Sequence, residues 1–155
     1  MDVRLLRDGL CRLHGVMRRL IAACIVVLVL AGNVQAEDMR IIVAIRGKNL
    51  YAVLEDNPAS RALYKVMPFT IRMKNLYGRE MRALLPMTLP VEKLSANSYA
   101  VGDIIYWPPR HSLMIIYRQK GERFRRQHLG RIESGAEVLA NAEDMDVTFA
   151  PAPVY

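Results

Sequence analysis

The chain is 155 residues long, 52% of them apolar, with two cysteines and a formal net charge of +7. That length has room for one domain plus an extension, and the apolar content is ample for a core. Both cysteines fall in the first 36 residues, so a chain cleaved there is thiol-free, which excludes cysteine nucleophiles, thiolate metal sites and redox motifs.

The N-terminus reads as a targeting segment. Arg18 and Arg19 precede an uncharged apolar run, Leu20–Ala31, which Gly32 and Asn33 break. Val34-Gln35-Ala36 then places small or tolerated residues at the −3 and −1 positions of a cleavage site. This is the layout of a secretory signal peptide over residues 1–36. The competing reading is an uncleaved anchor, but the run is short of the roughly 18 residues a bilayer span requires. Residues 1–16 carry two acidic side chains. Met17 therefore makes a tidier start for the signal than Met1. Removing the five Arg and two Asp of residues 1–36 from 22 basic and 15 acidic residues leaves 17 and 13, a net charge of +4. That mild bias is far from a nucleic-acid-binding signature.

The expected domain, 37–155, opens with Met39–Ile45, a nearly continuous apolar run that suits a buried strand. A turn at 46–49 leads to a second strand, in which Leu50, Ala52 and Leu54 alternate with Tyr51, Val53 and Glu55; the two form a hairpin. Asn57 is placed to cap a helix and Pro58 fits its first position. Ala59, Ala62, Leu63 and Val66 form that helix's apolar face, and Pro68 ends it. Phe69–Lys74 alternates cleanly, with Phe69, Ile71 and Met73 inward. Asn75–Arg79 is a loop around Gly78. Met81–Leu89 is apolar but interrupted by Pro86 and followed by Pro90, so it reads as short strand pieces or an edge. Strands follow at Ile104–Trp107 and Leu113–Tyr117, joined through Pro108–Ser112, and a polar turn surrounds Gly121. Phe124–Ile132 is extended, with Gly130 suggesting a bulge. Ser134 and Glu137 read as a capping box for a second short helix. Met145–Phe149 is the last strand and Ala150–Tyr155 a tail. Many short strands in one domain imply a barrel or sandwich.

The segments Leu54–Leu63 (LEDNPASRAL), Met67–Met73, Gly102–Pro109 (GDIIYWPP), Leu113–Tyr117 and His128–Ile132 resemble the bacterial cyclophilin-like domain family. The resemblance spans nearly the whole expected domain and implies a mainly β fold, a closed cyclophilin-like β-barrel with two short helices. Members of that family mostly have no assigned activity. His111 departs from the Gly/Asn-type turn that the resemblance leads one to expect there. True cyclophilins are prolyl isomerases with an arginine over the proline and a Phe-x-x-Gln-Gly-Gly-Asp-Phe segment. Gly102-Asp103 is only a fragment of that segment. Arg61, Arg72 or Arg110 could supply the donor, and no motif selects one.

Tyr106, Trp107, Pro108, Pro109 and Arg110 form the most ligand-like patch: rigid aromatic and proline surfaces with a cationic donor. Of these, Tyr106, Trp107 and Arg110, with His111 beside them and Arg61 as a further candidate, are the expected rim of a pocket for a small molecule or peptide. The bland reading is that Tyr106 and Trp107 divide between core and rim while the prolines shape a turn. No carboxylate lies near His111 or His128 at a spacing that names a triad or a metal site; only folding could bring Glu55 or Tyr106 to His128. Glu55, Asp56 and Asn57 could bind a cation or simply serve the helix start. The basic residues Arg118, Lys120, Arg123, Arg125, Arg126 and Arg131 read as a solvated face. The sequence therefore points to an exported protein, periplasmic or secreted, that binds a small ligand or peptide. The reading includes no cofactor, metal or nucleic acid, and membrane contact only through the signal segment. The alternatives are a prolyl isomerase with a divergent site and an envelope structural or interaction protein.

Overall fold

The computed structural model describes residues 39–121 and 123–153. The signal peptide expected over residues 1–36, and the choice of Met17 as its start, lie outside the described residues. Eight strands are present among the described residues: β1 (Met39–Ile45), β2 (Lys48–Leu54), β3 (Phe69–Leu76), β4 (Glu80–Leu84), β5 (Asp103–Trp107), β6 (Ser112–Ile116), β7 (Gln127–Ile132) and β8 (Met145–Pro151). They close into an antiparallel barrel in the order β1-β2-β7-β5-β6-β4-β3-β8.

Strand alternation fills the barrel. Ile41, Val43, Leu54, Met73, Met81, Ile104, Tyr106, Leu113, Ile115, Val147 and Phe149 are all buried inside it. Phe69 and Phe149 stack with ring centres 5.2 Å apart. Each such apolar side chain contributes about 1.5–3 kcal/mol by leaving water. Ile105, Met114 and Ile116 take the alternate positions of β5 and β6 and face outward. They are covered by Tyr99, Trp107 and Phe124, which gives the barrel a second, external apolar cluster.

Helix α1 (Pro58–Lys65) follows β2 as the sequence predicts, with Pro58 in its first turn. The Asn57 side chain accepts a hydrogen bond from the Ser60 N–H at 3.0 Å. It also donates to the carbonyl of His128 at 3.1 Å, so one residue both caps the helix and ties it to β7. Asn57→Ala is expected to cost about 1–2 kcal/mol, read as a shift in the urea midpoint with unchanged slope.

Several local expectations are corrected. β4 is a continuous strand paired on both sides, not a set of pieces at an edge, because Pro86 and Pro90 lie beyond its end. The β1–β2 turn places Arg46 and Gly47 at positive φ. The second short helix, Ala136–Asn141, is of the tighter 3₁₀ type; Gly135 in the left-handed region precedes it and no side chain caps it, so the Ser134 capping box does not form. Ala150 and Pro151 belong to β8, not to a tail, since they pair with Ile42 and Ile41.

Candidate functional site

The outer face of β4, β6 and β5 carries a cleft of about 400 Å³ lined by Tyr77, Arg79, Glu80, Arg82, Trp107, Met114 and Phe124. Strand register builds it. Arg82 pairs with Met114 and Met114 with Ile105, so the side chains of three adjacent strands share one face. Phe124 arrives from the segment before β7 and meets Trp107 edge-on, with centres 6.3 Å apart. It also meets Tyr99 at 6.0 Å. Behind these rings the buried Arg126 guanidinium lies over Tyr99 and Phe124, at 5.3 and 5.7 Å. Burial pulls the Arg126 guanidinium below its ordinary value, against the opposing attraction of Asp103.

On the opposite wall, Arg79 Nε bonds Glu80 Oε2 at 3.0 Å, and both side chains are buried. The Glu80 charge is thereby answered within the wall. Arg82 is half-buried and makes no ion pair among the described residues. The cleft thus joins aromatic and thioether surface to an arginine that has no acidic partner among the described residues. That combination suits an anionic group attached to something flat or apolar.

A second polar constellation lies on β5 and β7. Asp103 pairs across the strands with Arg131, and Ile105 with His128, while Ile104 pairs with Gly130. Leu129 is therefore the extra residue of a β-bulge. Residues three apart on a regular strand face opposite sides; the extra residue restores the parity and turns His128 and Arg131 to the same side as Asp103. Arg131 Nε and Nη2 each lie 2.8 Å from Asp103 Oδ1. His128 Nε2 lies 3.2 Å from the same oxygen, and the Ala100 N–H donates to Oδ2 at 2.8 Å. Glu55 occupies the other imidazole nitrogen, with Nδ1 to Oε1 at 2.7 Å. Folding thus supplies the contact between Glu55 and His128 that the sequence left open.

The charges follow from these contacts. The hydrogen bond to Asp103 raises the His128 pKa; burial opposes it and Glu55 reinforces it. Burial alone would raise the Asp103 carboxyl, but His128, the Ala100 N–H and Arg131 together hold it below its ordinary value. In its protonated form the imidazole donates from both nitrogens, one to each carboxylate. Among the described residues no His, Cys, Asp and Glu cluster is arranged to hold a metal. The constellation is a clamp that joins β5 and β7 to the residue following β2.

The five expected rim residues do not form one rim. Tyr106 is enclosed in the barrel core, where its hydroxyl accepts from the Leu89 N–H at 3.2 Å. Trp107, its strand neighbour, points to the opposite side and is the one of the five that lines the outer cleft. Arg110 ends a 3₁₀ turn at Pro108–Arg110, and His111 follows in the left-handed region, at φ 47°. Both are exposed, and His111 Nε2 lies 3.3 Å from Thr88 Oγ1. Arg61 is on α1 and pairs with Asp56. Of the three polar residues at the helix start, Asn57 caps, Asp56 holds Arg61 and Glu55 holds His128. Arg82, Met114, Phe124 and Tyr77 were not singled out by the sequence. The signal for Arg82 is the alternation Glu80-Met81-Arg82-Ala83, which the prolines that follow it mask.

The sequence profile of the cyclophilin-like family matches residues 43–150. The protein belongs to the cyclophilin-like family. The match runs from β1 into β8, so it takes in every strand of the barrel. No curated protein matches the chain. This cyclophilin-like chain is similar in fold to a hypothetical protein of Archaeoglobus fulgidus whose structure was determined in solution. The two share 14% identity with a TM-score of 0.56, over 78% of this chain and 100% of the archaeal one. The cyclophilin-like assignment therefore rests on the whole barrel rather than on one motif.

Proposed function

We propose that this cyclophilin-like protein is an exported binding protein, periplasmic or secreted. It takes a small molecule or peptide into the outer-face cleft. A flat or apolar group packs against Trp107, Phe124 and Met114 while Arg82 meets an anionic group. The observation that supports this is the half-buried Arg82, without an ion pair among the described residues, set beside aromatic surface in a cleft of ligand-sized volume, about 400 Å³.

The chain has one tryptophan, and it lines the cleft. Intrinsic fluorescence is therefore a direct probe. Titration with aromatic carboxylates and acidic proline-containing peptides is expected to shift Trp107 emission. Arg82→Ala should weaken the best of them at least tenfold, about 1.4 kcal/mol, with Arg82→Lys retaining part of the affinity. Binding indifferent to Arg82→Ala would remove the arginine from the reading.

Export is supported by the charged, apolar and small-residue layout of residues 1–36. Mass spectrometry of the protein from its native cell should find Glu37 as the first residue; an intact N-terminus would overturn cleavage. A prolyl isomerase remains the second reading. It is favoured by one observation, an arginine beside an apolar floor in the same cleft. Protease-coupled isomerisation by wild type and Arg82→Ala separates the two, since a binding protein leaves the spontaneous rate unchanged.

A further inference from the structure

The barrel has a fork between β3 and β4. The two strands pair only at Lys74↔Arg82, Asn75↔Met81 and Leu76↔Glu80. From Met73 back to Phe69, β3 is paired with β8 alone. On its side, β4 continues along β6 through Ala83 and Leu84, and the Leu85 N–H reaches the His111 carbonyl at 2.9 Å. Between the diverging strands opens an apolar groove of about 420 Å³, lined by Leu63, Val66, Phe69, Ile71, Leu84 and Met87. Its mouth is exposed: Leu84 is 63% and Val66 44% accessible.

We propose that this groove receives an extended peptide, apolar at alternate positions and acidic between them, which adds to β3 as a further strand. Three observations select that occupant. First, the side of β3 toward the groove carries backbone N–H and C=O groups with no strand partner over Phe69–Met73, among the described residues. A small apolar molecule would fill the groove and leave them unpaired, whereas a peptide backbone pairs them. Second, Phe69 and Ile71 turn inward while Thr70, Arg72 and Lys74 turn outward, so an added strand meets apolar and polar surface with period two. Third, the fork is basic. Lys74 and Arg82 stand directly opposite each other, a like-charge pair that destabilises the pairing, and Arg72 is the next outward residue. Arg72 has Asp146 at 3.7 Å on the β8 side only. Outward acidic residues on the incoming strand answer these charges. Pro86 lacks an N–H and blunts the opposite wall, so pairing is to β3 and not to the extension of β4.

The test uses the full chain and a fluorescein-labelled octapeptide of alternating valine and glutamate. Two partners of that peptide are N-methylated, one on the valine amides and one on the glutamate amides. A strand pairs through one edge, so one methylated peptide should bind at least tenfold more weakly and the other nearly as well as the parent. Hydrogen exchange at Thr70–Arg72 should slow in the complex. Leu84→Glu, at an exposed position outside the tryptophan cleft, should weaken the parent peptide at least tenfold while its melting curve stays that of a folded protein. Absence of binding at millimolar peptide overturns the proposal. So does binding indifferent to both methylations, which would assign the groove to small apolar molecules. Neither outcome decides whether the Trp107 cleft takes a ligand, which the fluorescence titration reads separately.

Discussion

Gly130→Ala is expected to destabilise the barrel by at least about 3 kcal/mol, at the severe end for a single methyl. A Cβ at Gly130 would stand 2.2 Å from the Val53 carbonyl oxygen and 2.7 Å from Leu54 Cα, both backbone atoms of β2. Neither can move without opening the β2–β7 ladder, which consists of Ala52↔Ile132, Val53↔Arg131 and Leu54↔Gly130. The damage also spreads through the bulge. There the Leu129 carbonyl accepts from the Glu55 N–H and the Ser60 hydroxyl, both at 2.8 Å, and the His128 carbonyl accepts from Asn57. Moving β7 off β2 therefore loosens the start of α1 as well. Urea unfolding measures the loss. A change below about 1 kcal/mol would mean that the strands separate more easily than their register implies.

Asp103→Ala should cost about 2–3 kcal/mol at neutral pH. The value sits below that for fully buried pairs because Arg131 is exposed enough to regain water once its partner is gone. The Asp103 side chain is 4% exposed, against 56% for Arg131. The Ala100 N–H loses its acceptor, and His128 keeps only Glu55. The same clamp sets a pH profile. Asp103 has a folded pKa below its ordinary 3.8, so its contribution is present above that value and is lost as pH falls through the depressed one. His128 has a folded pKa above its ordinary 6.5, so its contribution is complete below 6.5 and is lost as pH rises through the raised value. Stability should therefore fall on both sides of the weakly acidic range. In Asp103→Asn the clamp's part of the acid limb should vanish and the alkaline limb shrink, leaving what Glu55 sustains. Thermal melts from pH 2 to 10 test this, and equal alkaline limbs in the two proteins would sink it.

What the sequence makes legible is local. Phe69–Lys74 shows its inward face by period two, and Asn57-Pro58 shows a helix start by capping chemistry. Gly130 marks the bulge because nothing else on that strand lacks a side chain. The long-range pairings are not local properties. Nothing in β2 names β7 as its neighbour, and nothing in β3 names β8. The site was obscured for the same reason. Tyr106 and Trp107 are adjacent in sequence, yet a strand sends neighbours to opposite faces, one into the core and one to the cleft. Arg82 joins Trp107 only through the successive registers of β4 with β6 and β6 with β5. His128 and Arg131 share a face only because Leu129 shifts the count.

The seam where β1 meets β8 has a mechanical consequence. The two strands run antiparallel, and the Ala152 N–H donates to the Arg40 carbonyl at 2.9 Å, where the chain enters and leaves the barrel. A pull applied at those two points loads the first hydrogen bond alone, then the rungs at Ile41 and Pro151, then each one after. The ladder opens like a zipper instead of sharing the load in shear. A barrel closed around an apolar core thus yields to a small tension drawn through its own ends.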